Sequence, residues 1–240
     1  MEMRNKDGFG YSFINKGQIV TYKYALSFTE LSKRGYPLLE HMPNDSWTII
    51  HLRAASCGAV AKVNSHPFEI DDKWAICHNG AFREHGIVSL ALSKFINLSG
   101  QTDSEVAANL INCITPREFA MNDEIVQAGV YLCLNKNGSL EVIKNSGELC
   151  FSENKNGTWI VSSELSHINY TQIEANRGWY KFNSDGTFNK FVKREWGTSS
   201  QKGQSWLGSG GSYKYHSSGG ARSMGVGQHF RQHEFYHGGE

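Results

Sequence analysis

The sequence has no long apolar run, no excess of charge of one sign and no closely paired cysteines. Its longest apolar stretches fall far short of the roughly 20 residues that a membrane-spanning helix needs. No charged segment followed by an apolar one opens the chain, so a secretory signal is not predicted. The formal net charge of +1 gives no electrostatic attraction to nucleic acid or an anionic membrane. We therefore expect a cytoplasmic protein with neither nucleic acid nor membrane as a partner.

The cysteines are odd in number, widely spread and without any C-x-x-C pair, at positions 57, 77, 113, 133 and 150. This distribution favours reduced thiols over disulfides or a zinc site. We expect no metal ion and no cofactor.

The composition changes after Trp196, where Gly, Ser, Gln and His dominate and aliphatic residues become few. Such a segment cannot bury enough apolar surface to offset its ordering entropy. We predict a folded domain over residues 1–195 and a disordered tail over 196–240. In the tail, His229, His233 and His237 recur every fourth residue; they could bind a transition metal weakly on one helix face, but biased composition explains them equally simply.

Polar residues collect at the ends of apolar runs between His51 and Gly80. The run Trp47–Leu52 predicts a strand, which delivers Arg53 at its far end. A loop of small residues follows, and a second predicted strand, Lys73–Cys77, leads into His78-Asn79-Gly80.

Five short patterns in this part of the chain form an ordered series. They are R-x-x-D-G-x-G from Arg4, H-x-R-x-A-S-x-G from His51, N-x-H-P-F from Asn64, H-N-G from His78 and T-D-S-E from Thr102, and Trp159–Glu164 adds a later strand ending in small residues and an acid. Each pattern alone is weak, but the series in this order is a strong signal. Over roughly residues 1–190 the sequence resembles the glutaminase domain of class II glutamine amidotransferases, which are N-terminal-nucleophile hydrolases.

The resemblance implies an α+β fold, a four-layer αββα sandwich of mostly antiparallel sheets. The order of predicted elements agrees with it: a hairpin around Asn15-Lys16-Gly17, helices over Arg83–Asn97 and Asp103–Cys113, then short strands separated by tight turns. In the first of these helices we expect an apolar face that includes Ile87, Leu90 and Phe95.

Arg53 and Asp103 are predicted to bind the two charged ends of L-glutamine. A guanidinium matches a carboxylate bidentately, and the resemblance assigns Arg53 to the α-carboxylate and Asp103 to the α-ammonium group. Taken alone, Arg53 could also be an ordinary surface arginine. The T-D-S-E pattern also fits a capping box at a helix start, a structural role compatible with recognition by Asp103.

Asn79 and Gly80 have two interpretations. An Asn-Gly step after a strand is ordinarily a hairpin turn. The resemblance instead implies an oxyanion hole, in which the Asn79 amide and the Gly80 N–H stabilise the tetrahedral intermediate. It also places Ser56, Cys57 and His78 in the substrate pocket. Because this class uses the α-amine of its nucleophile as the general base, we expect His51, His66 and His78 to be wall residues and not catalytic ones.

The nucleophile of the family is an N-terminal cysteine some tens of residues before the D-G-x-G element, whereas here Met1-Glu2-Met3 directly precedes that element. Two expectations follow. Either the chain begins inside the domain, lacking its first strand, and hydrolyses glutamine to glutamate and ammonia for a separate synthetase or ligase. Or it is an inactive relative that binds glutamine or glutamate, or acts as an interaction scaffold.

Overall fold

The structure, a computed structural model, describes residues 4–122, 129–153, 159–163, 172–184 and 187–192. The predicted tail and its three histidines lie outside these ranges. So do two of the tight turns expected between the short strands, at Asn156-Gly157 and Asp185-Gly186. The strands are β1 (Gly8–Asn15), β2 (Gln18–Tyr24), β3 (Thr48–Arg53), β4 (Phe68–Ile70), β5 (Trp74–Gly80), β6 (Gly129–Asn135), β7 (Leu140–Lys144), β8 (Cys150–Glu153), β9 (Trp159–Ser162), β10 (Gln172–Glu174), β11 (Gly178–Phe182) and β12 (Phe188–Val192). The helices are α1 (Phe28–Lys33), α2 (His85–Leu92), α3 (Asp103–Ile114) and α4 (Pro116–Met121), and Lys62–Asn64 forms a 3₁₀ turn.

The chain starts with the predicted hairpin. β1 and β2 pair in antiparallel register from Phe9↔Tyr24 to Asn15↔Gln18. Lys16 and Gly17 both adopt positive φ, 51° and 73°, as a two-residue turn that follows the strand twist requires. β3 pairs with the other edge of β1, which gives a three-stranded sheet of order β2-β1-β3.

A six-stranded sheet of order β12-β11-β7-β6-β5-β4 forms the centre of the molecule, and all its pairs are antiparallel. Helices α3 and α4 cover one face, where Val106, Ile111 and Phe119 pack on Ile76 and Tyr131. Burial of apolar surface at about 25 cal/mol per Å² makes this contact a main source of stability.

The opposite face of the six-stranded sheet packs against two smaller sheets. Ile19 and Ile49 come from the β2-β1-β3 sheet and Phe151 from a sheet of order β10-β8-β9, and they share one core with Val142 of the central sheet. The outer face of β1 buries Phe9, Tyr11 and Phe13 against Leu31 of α1. The layers are therefore helix, split sheet, central sheet and helices, which confirms the predicted four-layer αββα architecture.

The apolar face predicted for the helix over Arg83–Asn97, which corresponds to α2, is wrong. Ile87, Leu90 and Phe95 are 76%, 75% and 83% exposed, whereas Val88 and Leu92 pack against the core. α2 spans eight residues rather than the predicted Arg83–Asn97. This short helix has apolar residues on two faces. The face that packs against the core carries Val88 and Leu92, which are four residues apart. None of the helices in the described residues is long and apolar enough to cross a membrane.

Candidate active site

A cavity of about 340 Å³ opens where the split sheet layer meets the central sheet. This volume lies within the range of small-molecule sites. β5 and β6 border it on one side, β3 and the loop after it on a second, the start of α3 on a third and β9 on a fourth. All seven residues predicted for the site line it: Arg53, Ser56, Cys57, His78, Asn79, Gly80 and Asp103.

Arg53 is buried, with 3% of its surface exposed, so it is not the ordinary surface arginine that sequence alone allowed. Its guanidinium donates to the carbonyl oxygens of Cys57 at 2.8 Å, Ala59 at 3.2 Å and Gly58 at 3.4 Å. Burial lowers the pKa of Arg53, and the nearby Asp7 carboxylate opposes this shift. The guanidinium nevertheless keeps its proton at neutral pH. Since it has five N–H donors, these three acceptors leave capacity for a carboxylate.

Asp103 is the first residue of α3 and is also buried. Its Oδ2 accepts a hydrogen bond from the Phe82 N–H at 2.8 Å, and its Oδ1 accepts one from the Ser104 N–H at 2.9 Å. A carboxylate at a helix start is favoured by the exposed N–H groups there. These bonds fix the carboxylate at the cavity wall, where it can pair with an ammonium group.

The predicted capping box is half right. The Thr102 side chain accepts from the Glu105 N–H at 3.2 Å, as predicted. The Glu105 carboxylate does not complete the box but accepts from the N–H groups of Ser99 and Gly100, both at 2.7 Å. The neighbouring loop turns back over the first turn of α3, and its two N–H groups take both carboxylate oxygens.

Asn79 and Gly80 lie within β5, paired with Val130 and Gly129. The hairpin-turn alternative is therefore wrong, and the predicted strand extends three residues beyond Cys77. Gly80 and Gly129 have φ of 152° and 144°, and a Cβ on Gly129 would lie 2.7 Å from His78 Nε2 and 2.8 Å from the Asn79 carbonyl oxygen. Close approach of the two strands thus requires glycine here. The Asn79 amide and the Gly80 N–H are held at the cavity by sheet pairing; their oxyanion role stays a prediction.

Three histidines belong to the cavity wall: His51, His66 and His78. Burial lowers the pKa of His51 to about 4 and that of His66 well below its usual value, so both rings are neutral at pH 7. The His51 Nε2 lies 3.2 Å from the His78 carbonyl oxygen. His78 stacks on Tyr131 with its Nδ1 3.0 Å from Ser104 Oγ. These contacts fit the predicted wall role.

Two cysteines of the described residues line the cavity, Cys57 and Cys77. The Cys57 thiol donates to the Gln101 carbonyl oxygen at 3.4 Å. Burial raises the pKa of Cys77, which keeps that group a neutral thiol. A reactive cysteine needs a lowered pKa or an adjacent base, and burial shifts the pKa of Cys77 in the opposite direction.

The edges of β3 and β9 face the cavity from two sides. Ile50, His51, Leu52 and Arg53 all line it, as do residues 161–163. Successive strand residues point to opposite faces, so consecutive residues can border one cavity when the cavity lies along the strand edge. In the described ranges β3 pairs with β1 and β9 with β8, each along its other edge.

One residue that organises this region, Asn64, was not predicted as a site residue. Asn64, fully buried, connects two of the loops around the cavity by its side-chain amide. Asn64 is part of the N-x-H-P-F pattern, but a sequence pattern does not show which distant residues a side chain contacts. No role could therefore be predicted for it.

Comparison with known proteins agrees with this geometry. The sequence model of the class-II glutamine amidotransferases matches residues 2–175. The chain belongs to this family. It is 35% identical over 112 residues to an uncharacterized protein of Methanocaldococcus jannaschii, a match that covers 43% of this chain and 30% of that protein. It is 37% identical over 65 residues to a glutamine–fructose-6-phosphate aminotransferase of Idiomarina loihiensis, covering 27% of this chain and 11% of that enzyme. The matches thus span less than a third of either curated relative.

Solved structures share the fold of this family member. The glutamine phosphoribosylpyrophosphate amidotransferase of B. subtilis superposes with a TM-score of 0.64 at 18% identity, over 80% of this chain and 44% of that one. A glutamine aminotransferase class-II domain protein from Silicibacter pomeroyi superposes with a TM-score of 0.56 at 15% identity, over 77% of this chain and 92% of that one. At these identities the likeness concerns the fold alone.

Proposed function

We propose that this domain binds L-glutamine and hydrolyses its side-chain amide to glutamate and ammonia. The observation that carries the proposal is the meeting of Arg53, Asp103 and the Asn79-Gly80 pair around one cavity. A fixed cation and a fixed anion are complementary to the two charged groups of a free amino acid, and a pair of hydrogen-bond donors is complementary to a developing oxyanion.

Recognition would use both charged ends of glutamine. The α-carboxylate pairs with the Arg53 guanidinium, and the α-ammonium group pairs with the Asp103 carboxylate. Both partners are buried, so the charge-assisted hydrogen bonds form away from bulk water, where they are stronger. With its α-carbon held in this way, the side chain of glutamine extends along the cavity towards Asn79 and Gly80.

The chemical step would be attack of a thiolate on the side-chain amide carbon. The tetrahedral oxyanion accepts hydrogen bonds from the Asn79 amide and the Gly80 N–H, each donor of this kind contributing about 2.7–4 kcal/mol to transition-state stabilisation. The C–N bond breaks and ammonia leaves with a proton. Water then hydrolyses the γ-glutamyl thioester to glutamate and restores the thiol.

The thiol would come from an N-terminal cysteine, as the family resemblance implies, with its own α-amine as the general base. We place it on an extended segment whose backbone pairs with the cavity-side edges of β3 and β9. Strand edges offer unpaired N–H and C=O groups to such a segment. The ammonia would pass to a separate synthetase or ligase in the cytoplasm.

A second candidate function is that of a catalytically inactive relative that binds glutamine or glutamate, or that acts as an interaction scaffold. It is favoured by the two cavity thiols, because burial keeps Cys77 a neutral thiol and the Cys57 thiol donates to the Gln101 carbonyl oxygen. The recognition geometry is the same in both candidates, so the nucleophile alone separates them.

The test is to find an in-frame Met-Cys upstream of codon 1, produce the extended protein and measure glutamate release from glutamine. We expect release that is lost when the cysteine is replaced by serine. Glutamine binding without release, detected by calorimetry, would establish the second candidate instead. If neither binding nor release is seen, glutamine hydrolysis and glutamine binding are both wrong.

A further inference from the structure

Asn64 lies between the two loops that bring the charged residues to the cavity. The first, residues 54–61, follows Arg53, and the second, residues 99–102, precedes Asp103. The Asn64 Nδ2 donates to the Ala59 carbonyl oxygen at 3.0 Å, and its Oδ1 accepts from the Gln101 N–H at 2.9 Å. Asn64 itself is 1% exposed, so its amide depends on these two partners for its hydrogen bonds.

Each bond connects Asn64 to one of the two charged residues by a short path. The Ala59 carbonyl oxygen that accepts from Asn64 also accepts from Arg53 Nη1 at 3.2 Å. Gln101 precedes Asp103 by two residues and passes directly into the capped start of α3. One buried amide thus connects the residue assigned to the α-carboxylate with the residue assigned to the α-ammonium group.

The packing around this amide leaves it little freedom. A Cβ on Gly100 would lie 2.4 Å from Asn64 Oδ1, and a Cβ on Gly58, where φ is +74°, would lie 3.0 Å from Asn64 Nδ2. The Glu105 carboxylate accepts from the N–H groups of Ser99 and Gly100 on the far side of the second loop. The two loops therefore have one relative position that satisfies all of these contacts.

We propose that Asn64 is a positioning residue that fixes the separation of Arg53 and Asp103, and thereby selects ligands that carry both an α-carboxylate and an α-ammonium group. This inference rests on the proposed binding of glutamine. A ligand with both groups needs the two protein charges at one separation, whereas a ligand with one of them does not. Loss of the two Asn64 hydrogen bonds should therefore lower the affinity for ligands that carry both groups more than the affinity for ligands that carry one.

An asparagine suits this position between the two loops because its side chain offers a donor at one atom and an acceptor at the other. Asn64→Asp keeps size and shape but turns the donor into an oxygen facing the Ala59 carbonyl oxygen. The Ala59 carbonyl oxygen then loses this donor, and the two oxygens repel. The first loop, and Arg53 with it, should move relative to Asp103.

The experiment compares glutamine with two analogues that keep the side-chain amide: 4-carbamoylbutanoate, which lacks the α-amino group, and 4-aminobutanamide, which lacks the carboxylate. Dissociation constants are measured by ligand-detected NMR, which reaches the millimolar range. For Asn64→Asp we expect glutamine affinity to fall about tenfold, the equivalent of one buried hydrogen bond, while affinity for either analogue changes by less than about threefold.

Two further variants keep the result interpretable. Gly100→Ala displaces the same amide from the other side and should give the same selective loss even if Asn64→Asp folds poorly. Asn109→Asp is the matched control, since Asn109 Nδ2 donates to the Glu105 carbonyl oxygen at 2.9 Å on α3, away from the cavity lining; it should leave all three affinities unchanged. Equal weakening of all three ligands, or unchanged glutamine affinity in both Asn64→Asp and Gly100→Ala, would overturn the inference. Failure of the unmodified protein to bind glutamine would instead overturn the proposed function on which it rests.

Discussion

Two regions of the cavity are built in different ways. The end of β5, with Asn79 and Gly80, is held by regular antiparallel pairing to β6. The loop after Arg53 has neither helix nor strand pairing over residues 54–61. It is held instead by side chains: the Arg53 guanidinium, the Asp7 carboxylate on the Ala55 N–H at 2.7 Å, and the Asn64 amide.

In the proposed function, this difference separates the residues assigned to chemistry from those assigned to recognition. At the strand end the backbone sets the positions, so a side chain there can change without moving its neighbours. In the loop the side chains set the backbone, so a substitution that removes a ligand contact also removes a structural support. We expect substitutions at the strand end to affect turnover alone, and those in the loop to affect binding and folding together.

Arg53→Ala should have the largest total effect. It removes the partner of the α-carboxylate, so glutamine affinity should fall by about 100-fold or more. It also removes the donor of the Cys57 and Gly58 carbonyl oxygens and one of the two donors of the Ala59 carbonyl oxygen, which should lower the free energy of unfolding by about 2–4 kcal/mol. Calorimetry and urea denaturation measure the two quantities.

The control is Arg34→Ala, because Arg34 is an exposed arginine paired with Glu30 four residues earlier on the helix. Such a surface pair contributes about 0.5 kcal/mol or less. An Arg53→Ala protein that loses binding at unchanged stability would show that the loop does not depend on its side chain.

If an N-terminally extended protein hydrolyses glutamine as proposed, Asn79→Ala should lower its kcat by about 10²–10³-fold, as the loss of one oxyanion donor does. Because the Asn79 side chain is exposed and its backbone is fixed by β6, the free energy of unfolding should change by less than about 0.5 kcal/mol. Steady-state kinetics and urea denaturation test the pair of expectations. A large loss of stability would remove the contrast with Arg53.

Acid should lower the free energy of unfolding through His51 of β3, which contacts the His78 carbonyl oxygen of β5 between the two regions. Burial lowers the pKa of folded His51 to about 4, while the unfolded chain keeps about 6.5. Between these values the unfolded state binds a proton that the folded state does not, so stability falls as pH falls from about 6.5 to 4. The loss for this residue approaches about 3 kcal/mol at the acid end.

Urea denaturation at pH 7.5 and pH 5 measures this loss. A His51→Asn variant should show a smaller drop between the two pH values than the unmodified protein, because it lacks the titrating ring. An identical drop would assign the acid sensitivity to other groups.

Thr102→Ala should have the smallest effect, a loss of about 1 kcal/mol in the free energy of unfolding, because it removes the side-chain cap of α3. Thr102→Ser keeps the hydroxyl and should retain most of that stability. Since Asp103 is also held by the Phe82 N–H, glutamine affinity should fall by less than about threefold in calorimetry. A larger fall would mean that the helix start alone holds Asp103.

Much of the cavity could be predicted because its residues stand at the ends of regular elements. Arg53 ends a β-branched run, Asn79 and Gly80 follow another, and Asp103 begins a helix with a threonine cap. The spacing of such residues is visible in a sequence, and the family resemblance added their proposed roles.

What the sequence could not predict depends on long-range contacts. Periodicity found apolar stripes on α2, but not that Val88 and Leu92 would be buried and Ile87 exposed. The Glu105 carboxylate bonds to a loop instead of its own helix start. Asn64 joins residues five positions before it and 37 positions after it, and no local pattern encodes such a bridge.

The most direct test of the account is a crystal structure of the protein with L-glutamine. We expect the α-carboxylate within about 3.2 Å of the Arg53 guanidinium, the α-ammonium nitrogen at the same range from the Asp103 carboxylate, and the side-chain amide directed towards Asn79 and Gly80. Glutamine bound with its charged groups away from Arg53 and Asp103, or with its side chain reversed, would contradict the account.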